Sequence, residues 1–439
     1  MKRVFCATVT SFLLFALASI AFAQASVADS QVTEFDLSGM KVLVKRRVGT
    51  PTVSAGLFIK GGSREIAALN AGIEDFMLNA AVEGSRQFPR AVLRRELAST
   101  GSSIGGGANY DYSGISLGTT LNNFESTWKI FADIALNPAF AVSDVELTRG
   151  KLLTVLQSID DSPDASLQAL VDKKILSGTS YGEGPEGTIQ TIGRFTAADL
   201  TAHHKKIMVT SRLLLVVVGD IDAETIKRLA TASFGKLPRG DFKPPAVPSL
   251  DFSKATLDVT NKSLQTNYVN GIFAAPTLNH PDYFAMRVAV SILQDRLFQE
   301  VRVKRNLSYA PSASLGSLEA NTGAIYVTSV NANEAVRVAL DEIKRLKTEP
   351  VSQNEISATA GMFLTNHFMG QETNTAQARS LATYELIGGG WRNSFKFLEG
   401  VRAVRPDDVR SVANKYIRNL RFMVVGDPTA IDRNVFLQN

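Results

Sequence analysis

L-L-L-V-V-V-G-D at Leu213–Asp220 and R-F-M-V-V-G-D at Arg421–Asp427 are the stretches that decide the fold. Each is apolar almost throughout, rich in valine, and closes on Gly-Asp, the pattern of a strand buried in the middle of a sheet. Each also follows the same kind of lead-in, T-A-A-D-L-T-A-H-H-K-K-I from Thr196 and R-P-D-D-V-R-S-V-A-N-K-Y-I from Arg405. Thr196 and the Pro406-Asp407 pair stand where helix N-caps and first turns belong. A helix–strand pattern recurring after about 200 residues points to duplication of one α/β unit.

Working outward, each half supplies matching elements. Lys41–Arg46 and Thr52–Lys60 read as strands with rough period-two alternation, and Ser113–Leu121 as a third. Ala67–Val82 and Ala91–Thr100 read as helices, and the glycine-rich Gly101–Gly107 as a turn or flexible edge. It is no phosphate loop, because it lacks the lysine and opens no helix. In the second half Asn267–Ala275 and Gly323–Val330 read as strands, Pro281–Leu297 and Asn333–Lys347 as helices. Strands and helices mix without strict βαβ alternation, which predicts an α+β fold. Lys236–Pro248 carries Pro238, Pro244, Pro245 and Pro248, so it favours extended chain and serves as the linker.

The chain opens Met1-Lys2-Arg3, runs apolar from about Val4 to Ala23 and ends that run on Ala21-Phe22-Ala23, the layout of a cleaved secretory signal. The single cysteine, Cys6, lies inside it, so no disulfide is expected in the mature protein. The expected address is a bacterial periplasm. Without Lys2 and Arg3, 47 basic residues become 45 against 42 acidic, a net +3. A balance so mild and scattered argues against a nucleic-acid partner, and no later apolar run is long enough to cross a membrane. The expected organisation is a signal at 1–23, an N-terminal domain at 24–235, a linker at 236–250 and a C-terminal domain at 251–439.

The chemistry turns on G-I-E-D-F-M-L-N-A-A-V-E-G-S at Gly72–Ser85. Together with Gly61-Gly62-Ser63-Arg64-Glu65, both Val-Gly-Asp strand ends and D-R-L-F-Q-E-V-R-V-K-R-N-L-S-Y at Asp295–Tyr309, it resembles the pitrilysin/insulinase-type peptidases. Their inverted zinc motif is H-x-x-E-H, and mitochondrial processing peptidase and small bacterial two-domain proteins are among them. The resemblance covers nearly all of the mature chain. It implies two homologous domains, each a mixed, largely antiparallel sheet with helices packed on it, forming a clam-shaped half chamber.

Laid on the family helix, Asp75 takes the first histidine's place, Leu78 the glutamate's and Asn79 the second histidine's. The family's third ligand is a glutamate roughly 76 residues further along; here that stretch is Leu152–Ile159, without a carboxylate. Zinc hydrolysis needs imidazole, thiolate or carboxylate ligands and a base beside the bound water. Leucine supplies neither. The four histidines, His203, His204, His280 and His367, include no H-x-x-x-H pair. Asp75 and Asn79, at i and i+4, would make a weak hard-ion site at best, and read instead as polar residues on a partly wet helix face. His203-His204 are adjacent, point apart on a helix and read as surface. No metal or other cofactor is expected in this chain.

The resemblance also implies what is kept. In active members the C-terminal half supplies an arginine and a tyrosine seven residues apart, facing the zinc from the opposite wall; Arg302 and Tyr309 keep that spacing. Some bacterial two-domain members pair as heterodimers, one chain carrying the zinc motif and the other lacking it. This chain looks like the second kind: a pseudoenzyme inactive alone, working on peptide substrates with a zinc-bearing sibling. Asn267–Phe273 would form chamber wall, and a free strand edge near Gly114–Thr119 would pair with extended peptide. The alternative is a peptide-binding or structural scaffold without proteolysis, as in core subunits of respiratory complexes. A third possibility, an independent hydrolase built on G-S-S-I-G around Ser103, is disfavoured because that segment follows a helix and leads to a strand, the reverse of a nucleophile elbow.

Overall fold

The computed structural model of the protein describes residues 31–438. The signal expected at residues 1–23 lies outside them. Two sheets organise the chain. The first contains β1 (Val32–Leu37), β2 (Met40–Arg46), β3 (Thr52–Lys60), β4 (Ser103–Ala108), β5 (Tyr112–Thr120) and β6 (Leu213–Gly219), in spatial order β1-β2-β6-β3-β5-β4. The second contains β7 (Thr256–Asn261), β8 (Asn267–Ala274), β9 (Ser312–Leu315), β10 (Thr322–Ser329) and β11 (Arg421–Gly426), in order β7-β11-β8-β10-β9.

Apart from the extra β1, the two orders correspond strand for strand. In each sheet one pair is parallel, β2 with β6 and β7 with β11, and the others are antiparallel. The repeat seen in the two Val-Gly-Asp segments is thus a repeat of topology. Residues 238–252, between the sheets, form neither helix nor strand.

β6 and β11 are apolar throughout because both faces of each are covered. On β6, Leu213, Leu215 and Val217 face the main core of the first half, beneath helices that include α1 (Ile73–Ala81), while Leu214, Val216 and Val218 face the other way. That second face is capped by a helix from the far half of the chain. α2 (Val142–Ser158) and α3 (Pro163–Ile175) belong to the first half, followed by α4 (Ala197–Ile207). α5 (Tyr283–Leu297), α6 (Gln353–Gly370) and α7 (Asn374–Ile387) belong to the second. Ala378, Leu381 and Ala382 of α7, with Trp391, pack on Leu43, Leu214, Val216 and Val218 of the first sheet. Reciprocally, Leu167, Val171 and Ile175 of α3 pack on Ile272, Met423 and Val425 of the second. Each half therefore lends one helix to the other's sheet. Burial of each such leucine or valine is worth about 1.5–3 kcal/mol, so the exchange is a substantial bond between the halves. Polar anchors fix both helices: Asn374 Nδ2 donates to the Thr52 carbonyl at 2.6 Å, and Arg421 Nη2 donates to the Lys174 carbonyl at 2.6 Å.

Three expectations change. The helix expected from Ala67 begins at Ile73, because Gly72 sits in the left-handed region at φ 83° and ends the preceding irregular turn. A side chain there would also strike Gly187, whose Cα would lie 2.7 Å from a Cβ. The Gly101–Gly107 segment is a strand, β4, from Ser103 onward, and not a turn. α1 lies directly against it: a Cβ on Gly106 would stand 2.9 Å from the Leu78 carbonyl oxygen and 3.2 Å from Val82 Cγ1. Glycine is there to let a helix approach, which removes the apolar alternation that marks a strand. Finally, Gly114–Thr119 is not a free edge. β5 lies between β3 and β4, and the open edge on this side of the sheet is β4.

Candidate functional site

α1 carries Asp75, Leu78 and Asn79, the residues that the resemblance sets against the zinc motif. Its apolar positions Ile73, Phe76, Met77, Leu78, Ala80 and Ala81 are buried, so the helix is sunk into the core on most of its circumference. Leu78 is 1% exposed and presents only methyl groups to its neighbours. Asp75 and Asn79 are half-buried on the remaining face and bond to each other, Asn79 Nδ2 donating to Asp75 Oδ2 at 3.0 Å and to the Asp75 carbonyl at 2.8 Å. Asp75 Oδ1 accepts the Ala108 backbone N–H at 2.9 Å, tying the helix to the end of β4. Burial pushes the Asp75 carboxyl above the usual carboxylate range, against the lowering effect of those two donors.

These side chains do not fit a zinc ion. The position of the base is a leucine, and the two ligand positions on this helix have turned to each other and to β4. Where a third ligand would come from α2, Val155 is 60% exposed to solvent and Leu152 and Leu156 pack on the core. Among the described residues no three His, Cys, Asp or Glu side chains converge to hold a metal ion.

The residue before Asp75 does more than the sequence suggested. Glu74 is 1% exposed. Its Oε1 accepts from Ser113 Oγ at 2.5 Å, its Oε2 lies 3.0 Å from His203 Nε2, and Arg212 Nη2 stands at 3.8 Å. Arg212 also pairs with Glu65 at 3.2 Å. This corrects the surface assignment of His203-His204. Both are buried, because α4 is wedged between α1 and the helix over Phe124–Leu136. His203 turns to Glu74, while His204 turns to the Ala135 carbonyl, 2.8 Å from Nε2. Burial holds the His204 pKa below its ordinary value. A carboxylate in an apolar helix run was the available sign of this cluster; its partners lie too far along the chain to be read from spacing. Closed off from solvent, it braces α1 and offers no substrate access.

A second buried network joins the halves at Arg64. Its Nη1 lies 2.7 Å from Glu319 Oε2, 3.5 Å from Asp111 Oδ1 and 3.4 Å from the Tyr181 hydroxyl. Tyr181 donates to Asp111, and the Glu319 backbone N–H donates to Asp111 Oδ2 at 2.8 Å. The Gly-Gly-Ser-Arg-Glu segment thus holds the second half's loop before β10.

Arg302 and Tyr309 come together elsewhere. The helix α5 passes into a widened π turn over Phe298–Val303, a distortion that recurs at functional sites. Arg302 leaves this turn with its guanidinium carbon 4.5 Å from the centre of the Tyr309 ring, and Nη1 donates to Asn306 Oδ1 at 2.7 Å. Ser308, buried beside it, accepts the Thr328 N–H at 3.1 Å and fixes the backbone to β10. Tyr309 itself is 78% exposed. A large aromatic ring stacked on a cation and left in solvent is a contact surface in waiting, and its phenol can donate to a developing oxyanion. No hydrogen bond or ion pair links this pair to Asp75 or Asn79. Ser103 lies on the exposed edge of β4, and its hydroxyl makes no hydrogen bond to a histidine or any other base.

With the geometry in view, comparisons place the chain. Residues 41–188 match the model described as Insulinase (Peptidase family M16), and residues 194–360 match Peptidase M16 inactive domain. An uncharacterized zinc protease of Streptomyces coelicolor is 23% identical, covering 88% of this chain and 88% of its own length. Cytochrome b-c1 complex subunit 1 of Bos taurus is 25% identical over 63% of this chain and 58% of its own. The crystal structure of a protease from Helicobacter pylori superimposes with a TM-score of 0.81 at 16% identity, covering 90% of this chain and 99% of that one. The repeated sheet topology, the retained framework motifs and these matches agree: the chain belongs to the pitrilysin/insulinase-type peptidase family, M16.

Proposed function

We propose that this protein is the non-catalytic subunit of a periplasmic two-chain zinc peptidase, contributing Arg302, Tyr309 and chamber wall to a partner that bears H-x-x-E-H. The observation that carries the proposal is an asymmetry. The family's ligand helix is sealed by Leu78 and by the Asp75–Asn79 pair, whereas the Arg302–Tyr309 stack stands open to solvent. The relative named as a zinc protease supports zinc in such a pair. The zinc belongs to the partner, since α1 here has no ligand set. This chain's part is to hold a phenol hydroxyl, backed by a guanidinium, where charge develops on the scissile carbonyl. Peptide would enter as an extended strand on the open edge of β4, through main-chain bonds.

The test is co-purification of the mature chain with its partner, followed by Tyr309→Phe. The proposal expects a sibling with H-x-x-E-H, one zinc per pair, and a turnover about 10²-fold lower in the variant with assembly intact. Unchanged turnover removes the role of Tyr309. A zinc-free homodimer, or a chain that purifies alone, favours the second reading, a peptide-binding or structural scaffold. The similarity to a cytochrome b-c1 complex subunit supports that alternative.

A further inference from the structure

A cavity of about 610 Å³ lies between the β9–β10 connection, the start of α5, the end of α6 and one side of α7. Its size is that of a site for a small ligand or a peptide end. None of its lining residues is Asp or Glu, yet two arginines, Arg287 and Arg379, line it. Arginine in a folded protein is nearly always paired with an acid, a carbonyl or water.

Among the described residues neither of these is paired. Arg287 lies over the rings of Phe363 and Phe397, 5.1 and 6.0 Å from their centres, and its Nε is buried without a hydrogen-bond partner. Arg379 makes no hydrogen bond or ion pair and is exposed to the cavity. Tyr283 and Tyr384 add two hydroxyls that make no hydrogen bond among the described residues. Both hydroxyls are held neutral well above neutral pH by burial, so they can donate. The N-terminal turn of α7 borders the same space through Thr373, Thr375 and Ala376, and brings the positive end of a 14-residue helix. The two arginines, the two free hydroxyls and this helix end favour one kind of guest, an anion. The remaining wall, with Leu278, Leu315, Leu318 and Ile387, suits an apolar side chain beside it.

The cavity has a neighbour that narrows the choice of anion. A second cavity, about 440 Å³, shares Thr375 and Arg379 with it and is lined by Gly105, Gly106 and Gly107 of β4. A peptide laid on β4 would have Arg379 within its path. The geometry points to a carboxylate-binding pocket in which Arg287 and Arg379 hold a carboxylate of the bound peptide. This inference rests on the peptide-on-β4 reading and extends it to a choice among peptides.

The test is calorimetric titration of the mature chain with three extended eight-residue peptides of one apolar sequence. One has a free C-terminal acid, one a C-terminal amide, and one the amide with a glutamate near that end. The acid-bearing forms are expected to bind about tenfold more tightly than the plain amide. Arg379→Gln, a substitution at an exposed side chain, should abolish that preference, so that the three peptides bind alike. Which acid-bearing peptide gains identifies the source as chain end or side chain. If all three bind equally, or Arg379→Gln keeps the full preference, the pocket assignment falls and peptide pairing on β4 stands. If none binds, both fall.

Discussion

Gly105 and Gly106 are neighbours on β4, and exchanging each for alanine should have opposite effects. At Gly106 the new Cβ would lie 2.9 Å from the Leu78 carbonyl oxygen, 3.2 Å from Val82 Cγ1 and 3.3 Å from the Leu78 carbonyl carbon. Two of those atoms are backbone of α1 and cannot swing aside, so helix and strand must separate. Overpacking of this kind costs about 1–3 kcal/mol. At Gly105 nothing lies within 4 Å of the added methyl, and the backbone has no positive φ. Alanine there should therefore stabilise by about 0.4–1 kcal/mol, through the lower freedom of the unfolded chain. The expected separation between the variants is about 1.5–4 kcal/mol. Urea unfolding measures it directly, as midpoints displaced in opposite directions with the denaturant slope unchanged. Equal midpoints, or a loss for Gly105→Ala matching that for Gly106→Ala, would refute the account of β4 as a strand thinned to admit α1. The same experiment bears on function, because the strand in question is the proposed peptide edge.

Two further substitutions probe buried charge. Lys45 is 9% exposed, lies 5.2 Å from the Phe395 ring centre and has no acidic partner among the described residues; burial pushes its pKa from 10.5 down to about 8. The unfolded chain then holds the extra proton between pH 8 and 10.5, so stability should rise with pH across that window, and the full penalty, up to about 3 kcal/mol, is present at pH 7. Lys45→Met should raise the urea midpoint at pH 7 and lose most of that advantage by pH 10; a gap independent of pH would contradict the assignment. Arg64→Met should destabilise by about 3–5 kcal/mol, since it leaves Asp111 and Glu319 without their cation, whereas a drop under about 1 kcal/mol in thermal or urea unfolding would show that the network does not hold the halves together.

The sequence was most legible where packing is local or doubled. β6 and β11 stood out because burial on both faces strips a strand of polar residues, and their repetition announced the duplicated architecture. The reading of Asp75, Leu78 and Asn79 rests on chemistry and not on shape, since a leucine has no lone pair to offer. β4 was not legible, since close approach of a helix replaced its side chains with hydrogen atoms and left a composition that reads as a turn. The open edge of the sheet was missed for the same reason. The burial of His203 depends on Glu74, 129 residues away, and no local period records such a pairing. The crossing of α3 and α7 to the opposite sheets was equally hidden, because it is a relation between distant segments and not a property of either.

That crossing has a consequence for the life of the chain. A protease nick anywhere in residues 238–252 would sever the covalent path between the sheets without releasing either piece, because each fragment keeps a helix clasped by the other. Expressed alone, either fragment would lack its borrowed helix and present a bare apolar sheet face to solvent, a surface that promotes aggregation. The two halves therefore mature as one cooperative object, and ancestral copies could part only if each had its own cover or found it on a second molecule.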